Sequence, residues 1–132
     1  MGSRIETPTR VSDTAIGVDI IEIGRIGRAV SRWQDSFLKR IYTPAELDDH
    51  HNISSLAARF AAKEAVMKAL GMGVGAVSWR DIEILRKEGG APLVKLHGRA
   101  LARSKEIGIA RFSISMSHSR EYAVAFVVGH AV

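Results

Sequence analysis

The chain has no cysteine among its 132 residues. This absence excludes disulfides, thiolate metal sites and a cysteine nucleophile, so any metal must be bound by oxygen or imidazole ligands. Aromatic residues make up only 6% of the sequence, which argues against a protein that binds nucleic-acid bases by stacking. No apolar run approaches the roughly 20 residues that a membrane span needs, and no signal peptide is visible. We therefore expect a cytoplasmic protein without a membrane or nucleic-acid partner.

The composition that remains is that of an ordinary globular protein, with 46% hydrophobic and 25% charged residues. A chain of this length can form one domain with its own core. Residues 1–13 predict a polar, disordered tail, and the opening Met1-Gly2-Ser3 is typical of a cloning remnant. Residues 14–132 predict a single domain.

Positive charge is concentrated near the start of the predicted domain. The net charge is +5 and the pI is about 10.0, which implies an anionic partner. Arg25, Arg28 and Arg32, here called the Arg stripe, have the i, i+3, i+7 spacing of one face of a helix predicted from about Ile23 to Ser36. The stripe is either a solvated basic face or a docking surface for an acidic protein or a polyphosphate.

The order of apolar patterns predicts an α+β fold. A strand around residues 16–21 leads into the striped helix, and Thr43 to Glu46 has the capping sequence of a second helix. Ser54 or Ser55 is expected to cap a third, alanine-rich helix that continues to Leu70. The other expected elements are a hairpin with strands around 82–84 and 93–96, a helix over 99–107, and a hairpin with strands around 112–117 and 122–128.

Two carboxylates stand where apolar residues are expected. Asp19 interrupts a run that otherwise predicts a buried strand, and Glu64 shares a predicted helix face with Phe60 and Met67. Burial of a lone carboxylate costs roughly several kcal/mol unless the group is neutralised, paired or bound to a metal. Two such residues suggest one shared cation, and hard oxygen ligands suit magnesium completed by water and phosphate. The alternatives are an end cap or arginine pair for Asp19 and a surface pair with Lys68 for Glu64.

Several neighbouring residues have both a functional and a structural interpretation. Lys63 and Lys68 flank the helical carboxylate, where they either neutralise phosphate charge or are ordinary solvated lysines. Gly71 and Gly73 either bring backbone N–H groups to a phosphate or only end the helix. His118 lies in a predicted strand-end turn, a place where functional side chains are often displayed, although a lone histidine there is commonly incidental.

Three sequence blocks, in this order and spacing, resemble the 4′-phosphopantetheinyl transferases, and most nearly the small holo-[acyl-carrier-protein] synthases. The blocks are Ile16–Ile20 with Gly24–Ile26, Phe60–Ala65 with Lys68–Gly71, and Ser115–Ser119 with Tyr122 and Ala123. The resemblance implies an antiparallel β-sheet with hairpins packed against helices, which is one half-unit of the superfamily. Larger members resemble two fused copies with the active site between the halves, so a single copy would build that interface from separate chains. Because small members of the type are trimers, the resemblance implies a homotrimer with sites at subunit boundaries.

The resemblance also implies an activity. Such enzymes transfer the 4′-phosphopantetheine arm of coenzyme A to a serine hydroxyl of an apo acyl carrier protein and release adenosine 3′,5′-bisphosphate. By matching positions, Asp19 and Glu64 would bind magnesium and, with Lys68, act in catalysis. The resemblance implies coenzyme A contacts by Arg59, Lys63, Lys68 and His118, and Gly71 and Gly73 join them as candidate phosphate contacts from their place at the helix end. It also implies that Arg25 docks the acidic carrier, and the spacing of the stripe adds Arg28 and Arg32 as expected docking residues.

Two other classes of protein compete with this interpretation. A basic α+β protein could be a nucleic-acid-binding module, but that requires aromatic side chains displayed on the sheet. A catalytically silent domain that binds coenzyme A or the carrier could keep the basic face and lose a carboxylate. The presence of Asp19, Glu64 and Lys68 together favours the enzyme.

Overall fold

The computed structural model describes residues 13–49, 52–73 and 75–131, and it has the predicted α+β class. In chain order the elements are β1 (Thr14–Glu22), α1 (Ile23–Ile41), α2 (Pro44–Asp48), α3 (Ile53–Ala69), a 3₁₀ turn (Trp79–Asp81), β2 (Ile82–Arg86), β3 (Pro92–Leu96), α4 (Gly98–Glu106), β4 (Ile109–His118) and β5 (Tyr122–Ala131). Both predicted hairpins are confirmed as antiparallel pairs, β2 with β3 and β4 with β5.

The main sheet has the strand order β1-β5-β4, so that β5 is its central strand. Its register pairs Gly17 with Val127 and Asp19 with Ala125. Because side chains alternate along a strand, these positions share one face with Ile21, and this inner face faces the core. Gly17 and Ile21 are buried there, and Asp19 is partly buried.

Helix α3 covers the inner face of the sheet. Its buried residues include six alanines, which are Ala57, Ala58, Ala61, Ala62, Ala65 and Ala69. Small side chains let the helix backbone approach the strands closely. At Gly17, a Cβ atom would lie 1.8 Å from the backbone oxygen of Ala65. Only glycine fits there, so β1 and α3 are in contact at their backbones.

Side-chain caps begin the two middle helices. The capping box at α2 is confirmed, since Thr43 Oγ1 accepts from Glu46 N at 3.2 Å and Glu46 Oε1 accepts from Thr43 N at 2.9 Å. The prediction of Ser54 or Ser55 as the cap of α3 is wrong. The cap is Asn52, whose Oδ1 accepts from Ser55 N at 2.8 Å, because α3 begins earlier than the apolar pattern indicated.

Helix α1 is longer than predicted and is not continuous. It continues past Ser36 to Ile41, and Gln34 within it has φ 46° and ψ −127°, which is not helical. At the start of the fold, Asp13 O accepts a hydrogen bond from Ala131 N at 3.0 Å, next to the β1–β5 pair. Residues 1–12 lie outside the described residues, so the tail and the domain boundary stay predictions.

The outer face of the main sheet is exposed in the single chain. Ile16, Val18 and Ile20 of β1 are 61%, 48% and 62% exposed, and Phe126 of β5 is 47% exposed. The prediction of a fully buried β1 is therefore wrong for one of its two faces. The apolar residues on both faces produced that prediction, but only the inner face is covered by α3.

Candidate functional site

The close contact of β1 with α3 brings three predicted site residues together. Asp19 lies two positions after Gly17 on the inner face of β1, and Glu64 precedes Ala65 on α3. Lys68, one turn later, donates from Nζ to Asp19 Oδ1 at 2.9 Å and to Val18 O at 3.1 Å. We call Asp19, Glu64 and Lys68 the open cluster, because Lys68 is 57% exposed while the carboxylates are partly buried.

The open cluster has unbalanced charge. Burial raises the pKa of Glu64 above its ordinary value, and repulsion by Asp19 raises it further, while Lys68 and Arg25 act in the opposite direction. The hydrogen bond to Asp19 raises the pKa of Lys68. Two carboxylates therefore share one nearby ammonium group, and additional positive charge would favour the ionised form of Glu64.

The two carboxylates of the open cluster fit a hard divalent cation whose other ligands come from outside the protein. Asp19 and Glu64 offer carboxylate oxygens, and each belongs to an element of regular structure that holds it in place. Among residues 13–49, 52–73 and 75–131, no group of three or more histidine, cysteine, aspartate or glutamate side chains could hold a metal ion. Magnesium commonly takes one or two carboxylates and completes its shell with water and substrate phosphates.

The Arg stripe begins beside the open cluster. Arg25 lies in the first turn of α1, close enough to lower the pKa of Glu64. A Cβ at Gly24 would lie 3.1 Å from Arg28 Nη1, so the Arg28 side chain turns back toward the start of α1. Arg25, Arg28 and Arg32 are all exposed. The structure thus places the predicted docking residues on one helix that starts at the carboxylates.

Arg59 and His118 line a separate cleft of about 400 Å³, with Ser55, Arg86 and Met116 among its other lining residues. Arg59 is only 2% exposed, because Nη2 contacts Asp49 Oδ2 at 2.5 Å and Nε donates to Ile84 O at 3.1 Å. Within the described ranges, none of the open-cluster residues lines this cleft. One chain therefore brings the predicted site residues together in two places.

Lys63 does not contact the open cluster, and its predicted role as a phosphate ligand is corrected. Its side chain is 0% exposed, and Nζ contacts Glu46 Oε1 at 2.8 Å, Ile82 O at 2.5 Å and Trp79 O at 3.2 Å. Burial lowers the pKa of Lys63, while Glu46 acts in the opposite direction. The ammonium group is thus enclosed on the other side of α3, where it joins α2 and α3 to β2.

The glycines after α3 have the geometry of a helix end. Gly71 has φ +70°, and its N–H donates to Lys68 O at 3.0 Å. Arg103 Nε donates to Leu70 O at 2.9 Å and so satisfies a carbonyl at the helix C-terminus. Since the N–H of Gly71 is already engaged, Gly71 does not offer it to a phosphate, while a Cβ at Gly73 would meet nothing within 4 Å; the phosphate contact of Gly73 stays a prediction.

Sequence reasoning treated Gly17 only as part of a motif and missed that its lack of a side chain builds the site. The signal was present, because a glycine inside a strand often marks a close approach of two backbones. The contribution of Arg86 to the cleft was also missed. Its position at the end of β2 gave no signal that it would lie near His118.

Comparison with known proteins assigns this arrangement to a family. The family described as the 4′-phosphopantetheinyl transferase superfamily matches residues 15–127. The holo-[acyl-carrier-protein] synthase of Herpetosiphon aurantiacus is 51% identical over 121 residues, which cover 86% of this chain and 95% of that protein.

Solved structures agree with the sequence comparison. The Neisseria meningitidis holo-[acyl-carrier-protein] synthase has a TM-score of 0.77 and 42% identity, covering 88% of this chain and 97% of its own. The Helicobacter pylori enzyme, solved in complex with coenzyme A, has a TM-score of 0.76 and 38% identity, covering 86% and 98%. The chain therefore belongs to the 4′-phosphopantetheinyl transferase superfamily, and within it to the holo-[acyl-carrier-protein] synthases. The predicted family, fold and enzyme class are confirmed.

Proposed function

We propose that this enzyme transfers the 4′-phosphopantetheine arm of coenzyme A to a serine hydroxyl of an apo acyl carrier protein, with magnesium as cofactor. The observation that carries the proposal is the open cluster, in which two carboxylates and one lysine meet at the start of a basic helix. The coenzyme A complex of the Helicobacter pylori relative supports coenzyme A as the donor.

The chemistry is a displacement at phosphorus. The carrier serine oxygen forms a bond to the phosphorus that bears the pantetheine arm. The bond from that phosphorus to the bridging oxygen breaks, and adenosine 3′,5′-bisphosphate leaves with the electron pair. Glu64 accepts the serine proton, directly or through a water, since it is the partly buried carboxylate one turn from Lys68 on α3. The ammonium of Lys68 stabilises the negative charge on the leaving bisphosphate.

Asp19 and Glu64 are the residues that would hold magnesium. When bound, magnesium neutralises pyrophosphate charge and orients it for in-line attack. The chain's own contribution is to fix both carboxylates on elements joined by the contact of Gly17 with Ala65. Positioning and charge neutralisation supply most of the catalysis in phosphoryl transfer, so a rigid contact between β1 and α3 serves the reaction.

A homotrimer with sites at subunit boundaries is part of the proposal. The cleft with Arg59 and His118 suits the nucleotide end of coenzyme A, but it does not include the open cluster. A second copy that brings its cleft to the carboxylates would complete the site. The exposed apolar residues on the outer sheet face, Ile16, Val18 and Ile20, favour such assembly.

The Arg stripe is proposed to dock the acidic carrier protein. Its exposed guanidinium groups would raise the association rate and make it sensitive to salt. Arg28→Glu or Arg32→Glu should raise the KM for the carrier and leave the affinity for coenzyme A unchanged. Equal carrier KM in variant and parent would contradict this role.

A cytoplasmic location, as expected from the sequence, belongs to the same proposal. Among the described residues no helix has both the length and the apolar content to cross a membrane.

Intact-mass spectrometry of an apo acyl carrier protein tests the proposal. The carrier is incubated with the enzyme, coenzyme A and magnesium, with a parallel sample that contains a chelator. A mass gain of one phosphopantetheine that the chelator abolishes is the expected result. No gain with several apo carriers, from a folded protein that still binds coenzyme A, would show a catalytically silent binding domain instead.

A further inference from the structure

The backbone of α1 is strained at one exposed position. Gln34 has φ 46° and ψ −127°, a region that glycine adopts readily and other residues adopt at a cost of about 1–3 kcal/mol. Ser36 Oγ donates to Trp33 O at 3.1 Å across this break. Gln34 is exposed, so core packing does not require the strain. Strained residues of this kind concentrate at binding and catalytic surfaces.

The residue before the break is a tryptophan that projects into solvent. Trp33 is 53% exposed, and the Arg32 guanidinium carbon lies 4.8 Å from its ring centroid. The other tryptophan, Trp79, is instead partly buried and stacked on Phe60 with a centroid distance of 4.6 Å. Tryptophan and arginine dominate the binding energy of protein interfaces. An exposed pair of these two residues is a candidate anchor.

The charge around Trp33 identifies the kind of partner. Helix α1 contains five cationic residues and a single carboxylate, Asp35, so it holds most of the chain's net charge of +5. The cations before the break form the Arg stripe, which ends at Arg32, directly beside Trp33. A partner that covers this surface must be acidic. It must also offer an apolar side chain where the stripe ends.

We propose that Trp33 is the apolar anchor for the acidic carrier protein, at the end of the Arg stripe away from the carboxylates. The proposal rests on the proposed function and adds a specificity-determining residue to it. The stripe attracts an acidic helix of the carrier, and the Trp33 ring packs against an apolar side chain on that helix. The break at Gln34 ends the first segment of α1 there and leaves the ring uncovered.

Fluorescence tests the docking directly and requires no transfer. In a Trp79→Phe variant, Trp33 is the only tryptophan, because the chain has two. Apo carrier added without coenzyme A should shift its emission to the blue and protect it from acrylamide. Unchanged emission and quenching at a carrier concentration that saturates transfer would overturn the proposal. A Trp33 already shielded before the carrier is added would also overturn it, because a second copy would then cover the ring.

Kinetics provide an independent test. Trp33→Ala should raise the carrier KM by about 5- to 30-fold, with the KM for coenzyme A and the Tm unchanged, and Trp33→Phe should recover part of the loss. Leu101→Ala is the matched control, since Leu101 is an exposed apolar residue on α4 at 38%. A carrier KM equal to that of the parent would overturn the proposal. Failure of the parent to modify any carrier would instead refute the transferase function, and the fluorescence result would still decide the docking.

Discussion

Two polar clusters lie on different sides of α3 and differ in how completely their charges are satisfied. Lys63 and Lys68 are five positions apart on the helix, which places them well apart around its axis. Lys63 and Glu46 form a closed cluster that is 0% exposed, whereas Lys68 and Asp19 belong to the open cluster, with Lys68 57% exposed. Both lysines are paired with a carboxylate, so pairing alone does not separate a structural residue from a functional one.

The two clusters differ in how much negative charge is left without a partner once each lysine is paired with a carboxylate. In the closed cluster, Glu46 accepts from Lys63 Nζ, Thr43 N and Ile84 N. Over the part of the chain that the structure describes, no buried side-chain nitrogen or oxygen lacks a partner. The open cluster keeps two carboxylates near one exposed ammonium, and the pKa of Glu64 is raised as a result of its burial and of Asp19. A balanced cluster stabilises the fold, while an unbalanced one can bind a cation and move a proton.

The largest expected effect is on catalysis in the open cluster. Glu64→Gln should lower kcat by about 10²- to 10⁴-fold, because the proton acceptor is lost. The free energy of unfolding should not fall. The pKa of Glu64 is raised in the folded protein, so the ionised carboxylate destabilises the fold at any pH above the ordinary pKa of glutamate. Phosphopantetheine transfer and urea unfolding would be measured together, with the exposed Glu88→Gln as control. Activity within tenfold of the parent would contradict the assignment.

The next effect is on stability in the closed cluster. Lys63→Met leaves the buried Glu46 carboxylate without its cation and should lower the free energy of unfolding by about 3–5 kcal/mol. Lys68→Met should cost at most about 1 kcal/mol, because its pair with Asp19 is largely exposed on the lysine side, yet it should abolish most activity. Urea denaturation measures both. The comparison fails if Lys63→Met keeps its stability and loses affinity for coenzyme A.

A smaller effect is expected where the two elements of the open cluster meet. Gly17→Ala places a Cβ against the Ala65 carbonyl, which cannot move without displacing α3, and should cost about 1–3 kcal/mol of stability. Gly27→Ala is the matched control, because its Cβ would meet only Ile53 at 3.6 Å. That substitution should stabilise α1 slightly, as alanine does within a helix. Thermal unfolding distinguishes the two, and equal Tm values would contradict the backbone contact.

The smallest effect is a change in the pKa of Glu64. Lys68 lowers this pKa and Asp19 raises it. Lys68→Met should therefore move the carboxyl titration to higher pH, and Asp19→Asn should move it to lower pH. Carbon-13 NMR of labelled glutamate follows both in the metal-free protein. If the pKa of Glu64 moved in the same direction in both variants, Lys68 and Asp19 would not have the opposite effects on it that the structure indicates.

Much of the open cluster could be predicted from the sequence, because each of its carboxylates interrupts an apolar pattern. The side of α3 on which Lys63 lies could not, since small residues surround much of that helix and mask its periodicity. The cap at Asn52 was missed because serine and asparagine are equally good caps. The break at Gln34 could not be predicted, because neither glycine nor proline stands at this position or next to it. The exposed face of β1 was assigned to the core because apolar residues alone do not distinguish a core from an interface.

Magnesium binding to the protein saturated with coenzyme A tests the central claim most directly. Titration calorimetry should detect binding to the parent and to Lys63→Met under conditions where both are folded. Asp19→Asn and Glu64→Gln should show none, since each removes one of the two carboxylates proposed to hold the cation. Parent-like magnesium affinity in both carboxylate variants, or its loss in Lys63→Met alone, would contradict the assignment of function to the open cluster.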